Sequence, residues 1–221
     1  MRFDINNPAF LQSAGALVPQ SFIVIRTEQE DQAIFGITSD GAVRIKTIKD
    51  GKTKITSYPD GLNIDDVIFR FSNDANTDIF IYGKITRISV SDEVDVSGVT
   101  GIQTKSCESL IRAFISGCEN ITDLDFSSNI YIDYLSLSGN ANLASLNISN
   151  CLELDSLSLT GCTKLTEIVA VGMNEYTAGT LEQHISDLGS ESITGTIVVR
   201  QEESYDIEDA ADQAGWTVIY Q

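Results

Sequence analysis

The sequence predicts a β-dominated α+β fold: a solenoid of about 22-residue coils, preceded by a small antiparallel β domain and closed by a β-α-β-like C-terminal cap. Three observations carry this. Apolar residues recur every eleven positions between residues 102 and 176; short β-rich runs broken by turn dipeptides fill residues 21–90; helical and strand patterns alternate after residue 178. These divide the chain into an N-terminal leader segment (1–20), an antiparallel β domain (21–98), the solenoid (99–178) and an α/β cap (179–221).

The opening MRFDINNPAFLQSAGALVPQ has one Arg followed by an acid, and Gln and Ser interrupt its apolar residues. It therefore lacks the charged, apolar and small-residue parts of a signal peptide. The expectation is an intracellular or phage-associated protein, or a cell-surface one if a natural leader has been removed. In the β domain the runs are SFIVIRT, AIFGIT, AVRIKTI, TKITSY, DVIFRF and DIFIYGKITRISV, punctuated by SDG at 39–41, KDGK at 49–52 and PDG at 59–61. Asp50-Gly51 between alternating strands is a hairpin signal, because a two-residue turn needs positive φ at both positions. Val99 falls in the inward slot eleven residues before Leu110, so the β domain is expected to fuse with the first coil.

In the solenoid, one column holds Ile102, Ala113, Leu124, Leu135, Leu146, Leu157 and Ile168. Two residues on come Thr104, Ile115, Phe126, Leu137, Ile148, Leu159 and Ala170, and eight on come Leu110, Ile121, Ile132, Leu143, Leu154, Leu165 and Tyr176. Only Thr104, Ala113 and Ala170, all in outer repeats, are not large and apolar. Two eleven-residue halves make one coil, which places Leu124 above Leu146 and Leu135 above Leu157. No half can bury its apolar face alone, so stacking supplies the driving force.

Five residues after each column leader stand Cys107, Cys118, Asn129, Asn140, Cys151, Cys162 and Met173. A buried Asn in that slot satisfies main-chain groups of the turn, and Cys is a small residue with a weak S–H donor that fits the same hole. Cys107, Cys118, Asn129, Asn140, Cys151 and Cys162 therefore read as a structural ladder. Cys107 and Cys151 lie two coils apart, roughly 10 Å, beyond the disulfide limit of about 7 Å between Cα atoms. The thiols are expected to be free. A tighter coil of eleven residues would instead stack Cys107 on Cys118 and Cys151 on Cys162, permitting two bridges.

After the solenoid, TLEQHISDL begins with a capping box at Thr180 and Gln183, TGTIVVR is β-rich, YDIEDAADQA is a short acidic helix stopped by Gly215, and WTVIY closes as a strand. The L-x-x-L-x-L-x-x-N/C spacing resembles a leucine-rich repeat with short half-coils. Together with GTI at 195–197 and ADQAGWTV at 211–218, it resembles a family of bacterial leucine-rich-repeat proteins found on cell surfaces and in phage-derived loci. The resemblance implies adhesion or protein binding by a non-catalytic scaffold.

Thirty-two acidic against fourteen basic residues give a net charge of −18, which repels nucleic-acid phosphates and anionic lipid. Nucleic-acid partners are disfavoured, and the apolar runs are too short for membrane insertion. Cysteine spacings of 11, 33 and 11 match no zinc pattern, and there is no serine motif or phosphate loop, so neither a catalytic residue, a metal nor a cofactor is expected. The lone His184 reads as surface or cap packing. Asp74, Asn76 and Asp78 imitate the start of a calcium loop but lack its glycine and distal glutamate, and read as a polar turn. The candidate partner-binding residues are the outward-facing Phe114, Asp125, Tyr131, Tyr134, Ser136, Asn147 and Ser158. The expected function is a non-enzymatic protein-recognition or structural scaffold. Exposed tyrosines offer a carbohydrate-binding accessory module as the alternative. Acid pairs such as Asp123 with Asp125, or Asp65 with Asp66, offer a carboxylate-dependent hydrolase as a third.

Overall fold

The computed structural model describes residues 21–31, 33–62, 69–91, 96–172, 181, 183–185, 194–200 and 207–221. The first strands are β1 (Phe22–Thr27), β2 (Ala33–Ser39), β3 (Val43–Lys49), β4 (Lys52–Tyr58), β5 (Phe69–Phe71), β6 (Thr77–Tyr82), β7 (Ile85–Val90) and β8 (Val99–Ser106). Alternation in β3 buries Val43, Ile45 and Thr47 while Arg44 and its polar neighbours face out. Asp50 and Gly51 take φ of 53° and 66° and close the β3–β4 hairpin, as Asp-Gly predicts.

β4-β3-β6-β1-β8 form one antiparallel sheet, and β2 lies between β5 and β7 in a second. Phe35 of β2 stacks on Phe71 of β5 at 4.9 Å, and both join Ile23, Ile25, Ile79 and Ile81 of the first sheet in one core. The run DIFIYGKITRISV is two strands in two sheets, not one. Gly83, with φ 142°, breaks it where a Cβ would lie 2.6 Å from the Ala42 carbonyl oxygen.

Next come β9 (Arg112–Ile115), β10 (Asp123–Asp125), β11 (Tyr134–Ser136), β12 (Ser145–Asn147), β13 (Ser156–Ser158) and β14 (Glu167–Val169). Their pairing fixes the coil. Leu124 pairs with Leu146 and Leu146 with Ile168; Ala113 pairs with Leu135 and Leu135 with Leu157. Each partner is 22 residues away, so the eleven-residue coil is excluded. The chain forms a β-solenoid of about five turns. Both half-coils contain a strand, and alternate halves build separate parallel sheets. Within the core, Leu110, Ile115, Ile121, Leu137, Leu143, Ile148 and Leu165 are fully buried.

The junction is fused, as expected from Val99. β7 pairs antiparallel with β2 and parallel with β9, so one six-stranded sheet, β13-β11-β9-β7-β2-β5, runs through both regions. On the other side β8 pairs with β1 and lies beside β10, where the Thr104 hydroxyl donates to the Asp125 carbonyl at 3.2 Å.

Beyond the last coil, β15 (Thr196–Val199) and β16 (Thr217–Tyr220) extend the sheet β10-β12-β14-β15-β16, all parallel, with α1 (Ile207–Ala214) between them in sequence. Residues 181 and 183–185 are helical, with Leu181 and Ile185 buried. Ile207, Ala211, Ala214 and Trp216 join the same core. Thr180 of the capping box, Met173 and Tyr176 lie outside the described residues, as do residues 1–20. No helix among the described residues is long and apolar enough to cross a membrane.

Candidate functional site

Four of the slot residues, Asn129, Asn140, Cys151 and Cys162, donate to a main-chain carbonyl 25 residues back. Asn140 Nδ2 donates to the Ile115 carbonyl at 2.7 Å and the Leu137 carbonyl at 2.8 Å, while its Oδ1 accepts from the Cys118 N–H at 2.9 Å. Asn129 Nδ2 donates to the Cys107 and Thr104 carbonyls, and its Oδ1 accepts from the Thr104 hydroxyl at 2.7 Å. Two of the cysteines repeat the donation with sulfur. Cys151 reaches the Phe126 carbonyl at 3.5 Å and Cys162 the Leu137 carbonyl at 3.1 Å, each 25 residues back, as Asn140 does to Ile115. Cys107 donates to the Ile85 carbonyl at 3.4 Å and Cys118 to the Ser116 carbonyl at 3.8 Å.

All four thiols are free and buried. Burial, with the nearby Asp125 carboxylate, pushes the Cys151 thiol up to about 12 from its usual 9.0. The thiolate is the nucleophile, so this sulfur is inert near neutrality. Iodoacetamide at pH 8 is expected to label none of the four in the folded chain and all four in denaturant, read by mass spectrometry. Labelling of the folded chain at Cys151 would show that the thiol is not held in the stack. Because the folded value lies above the unfolded one, Cys151 contributes stability that is fully present below about pH 9 and is lost as pH rises toward 12.

The candidate surface residues divide between opposite sheets. Phe114, Tyr134, Ser136 and Ser158 lie on the β9-β11-β13 face, and Asp125 and Asn147 on the β10-β12 face. On the first face, Arg87 of β7 lies over the Phe114 ring at 4.6 Å, and Phe114 stacks on Tyr134 at 4.8 Å and 26°. Since β7 and β11 flank β9, Phe114 is held between the guanidinium and the second ring. Arg112 pairs with Asp133 at 3.2 Å.

Around Asp125 a groove of about 300 Å³, lined by Gln103, Lys105, Asp123, Ser145 and Asn147, opens where β8 parts from β10. Burial disfavours charge on Asp125, but Lys105 at 2.7 Å and hydrogen bonds from Ser127 outweigh it and hold the carboxyl below its usual value. Such a group is a fixed anion at neutral pH, unsuited to proton donation. Asn147 Oδ1 accepts from the Ser149 N–H at 3.0 Å. Asp65 and Asp66 lie outside the described residues.

Asp74 has a structural role. Its carboxylate accepts from the Asp50 and Gly51 N–H groups at 2.7 and 2.9 Å, bonds that lower its pKa and brace the hairpin turn, while Asp78 pairs with Arg26 at 2.8 Å. His184 is half-buried on the helical segment, while Glu182 and Asp187 lie outside the described residues.

Tyr131 stands at neither sheet face but at the corner leading into β11, and its surroundings went unread in the sequence. Ile111, Ile130, Tyr131 and Leu152, 38, 38, 58 and 41% exposed, gather along the corner entering β9, β11 and β13. Ile130 and Leu152 are one coil apart. Tyr131 and Ile111 also line a cleft of about 430 Å³ with Asp40, Lys84, Thr86, Glu108 and Ser109. The corner entering β10, β12 and β14 has the same backbone plan, yet its outward positions hold Asn120, Thr122, Ala141, Asn142, Thr163 and Lys164, cross-linked by Asn142 to the Glu119 carbonyl and Lys164 to Asn142, both at 2.6 Å. Comparing the two corners at the 22-residue spacing is the signal that finds the strip. In comparisons with known proteins, no family model matches the chain, and no curated protein or solved structure does either.

Proposed function

We propose that the chain is a non-enzymatic protein-recognition or structural scaffold of leucine-rich-repeat type. The observation that carries this reading is the Arg87, Phe114 and Tyr134 stack, which crosses three strands of the outward face where the repeats themselves need only small polar residues such as Ser136 and Ser158. A protein partner fits this stack better than a sugar. A pyranose needs an unoccupied aromatic face, and those of Phe114 already meet Arg87 and Tyr134. Buried interior thiols and the salt-bridged Asp125 favour a scaffold over a hydrolase.

The immobilised chain is expected to retain a protein from native-host extract, and Phe114→Ser with Tyr134→Ser to lose it while circular dichroism is unchanged. Undiminished capture by that double variant would remove the stack from the account. Hits on a glycan array lost in the same variant would favour the carbohydrate-binding alternative.

A further inference from the structure

The repeats contain an internal control. Both corners of each coil follow the same slot residue and lead into the same kind of strand, so the fold places equal demands on their outward positions. One corner meets them with Asn, Thr, Ala and Lys; the other exposes Ile130, Tyr131, Leu152 and Ile111. Folding does not require these apolar groups, and large ones gathered on a surface mark a contact site. Charge specifies what they contact. Among the described residues, the cations beside the strip are engaged, Lys84 with Asp40 at 2.5 Å, Arg112 with Asp133 at 3.2 Å and Arg87 over the Phe114 ring, and the strip is bordered by the exposed Glu108, Glu153 and Asp155. A second copy of a chain carrying −18 would bring more negative charge to an acidic border.

We propose that this corner docks an extended segment of a basic protein partner, whose alternate apolar side chains cover Ile130 and Leu152 and enter the cleft between Ile111 and Tyr131, and whose flanking Lys or Arg side chains meet Glu108 and Glu153. The proposal rests on the scaffold reading and names the partner's chemistry. Its dimensions agree. Coils lie about 4.8 Å apart, so the strip from Ile111 to Leu152 spans roughly 10 Å, and alternate side chains of an extended chain recur at about 6.6 to 6.8 Å. About five residues cover it, with basic residues at either end above the acids.

Two fluorescein-labelled peptides test this by anisotropy with the full chain: an alternating apolar core flanked by lysines, and the same core flanked by glutamates. The lysine-flanked peptide is expected to bind saturably, at least tenfold more tightly than the other, and more weakly as salt rises. Ile130→Ser with Leu152→Ser should weaken it at least tenfold, whereas Ala141→Ser with Thr163→Ser at the opposite corner should not change it. Glu108→Lys with Glu153→Lys should reverse the preference between the peptides, a gain that misfolding cannot imitate. Absence of saturable binding by the lysine-flanked peptide, or equal binding after Ile130→Ser with Leu152→Ser, overturns the proposal. Capture of a host protein through Phe114 and Tyr134 by a chain that binds neither peptide overturns the corner assignment and leaves the scaffold reading standing.

Discussion

Leu135→Ala is expected to lower the unfolding free energy by about 3 to 4 kcal/mol. Leu135 is fully buried in its column, paired in register with Ala113 on one side and Leu157 on the other. Ala113 is already small, so no neighbour on that side can reach into the space left behind. Main-chain bonds above and below, including Leu137 N–H to the Ser158 carbonyl at 2.8 Å, hold the coils at fixed spacing and stop the stack from collapsing. The lost transfer energy and the cavity therefore add. Urea unfolding followed by circular dichroism measures the loss, with Thr163→Ala on the exposed corner as a control expected within about 0.5 kcal/mol of the parent. A Leu135→Ala chain within about 1 kcal/mol of the parent would mean that the column is not packed as described.

Asn140→Ala follows at about 2 to 3 kcal/mol, although it removes little apolar surface. The change strands the Cys118 N–H, takes the amide donor from the Ile115 carbonyl, and leaves the Leu137 carbonyl with only the weaker Cys162 thiol. Asn140→Cys should recover part of the loss, because Cys162 in the next coil donates from the same slot to the Leu137 carbonyl. The thiol has one weak donor and cannot replace the amide's acceptor for the Cys118 N–H, so the recovery is incomplete. If Asn140→Ala melts with the parent, the ladder contributes nothing to stability.

The columns were legible because an inward position in a stacked coil tolerates only apolar side chains, and eleven-residue spacing imprints that demand along the chain. The Asn and Cys slot was legible for a related reason: a turn with unpaired main-chain groups restricts what can fill it. Outward sides were not. Spacing of two residues separates inside from outside, but only coil closure separates one outside from the other, which is why Asp125 and Asn147 were grouped with Phe114 and Tyr134. The exposed corner was hidden more deeply. Ile130 and Ile132 are the same residue two positions apart, one exposed and one fully buried, and hydropathy cannot tell them apart. Gly83 was passed over because the apolar alternation continues on both sides of it while the chain crosses between sheets.

The central claim is that alternate half-coils stack at a spacing of 22 residues, and paired cysteines on the outer face test it most directly. Ser136 and Ser158 are register partners on adjacent strands, whereas Ser136 and Asn147, eleven residues apart, belong to different sheets. Under mild oxidation the Ser136→Cys, Ser158→Cys monomer is predicted to form an internal disulfide, since adjacent strands place such pairs about 5 Å apart at Cα. The Ser136→Cys, Asn147→Cys monomer should remain reduced. A bridge in the second pair and none in the first would contradict the 22-residue coil.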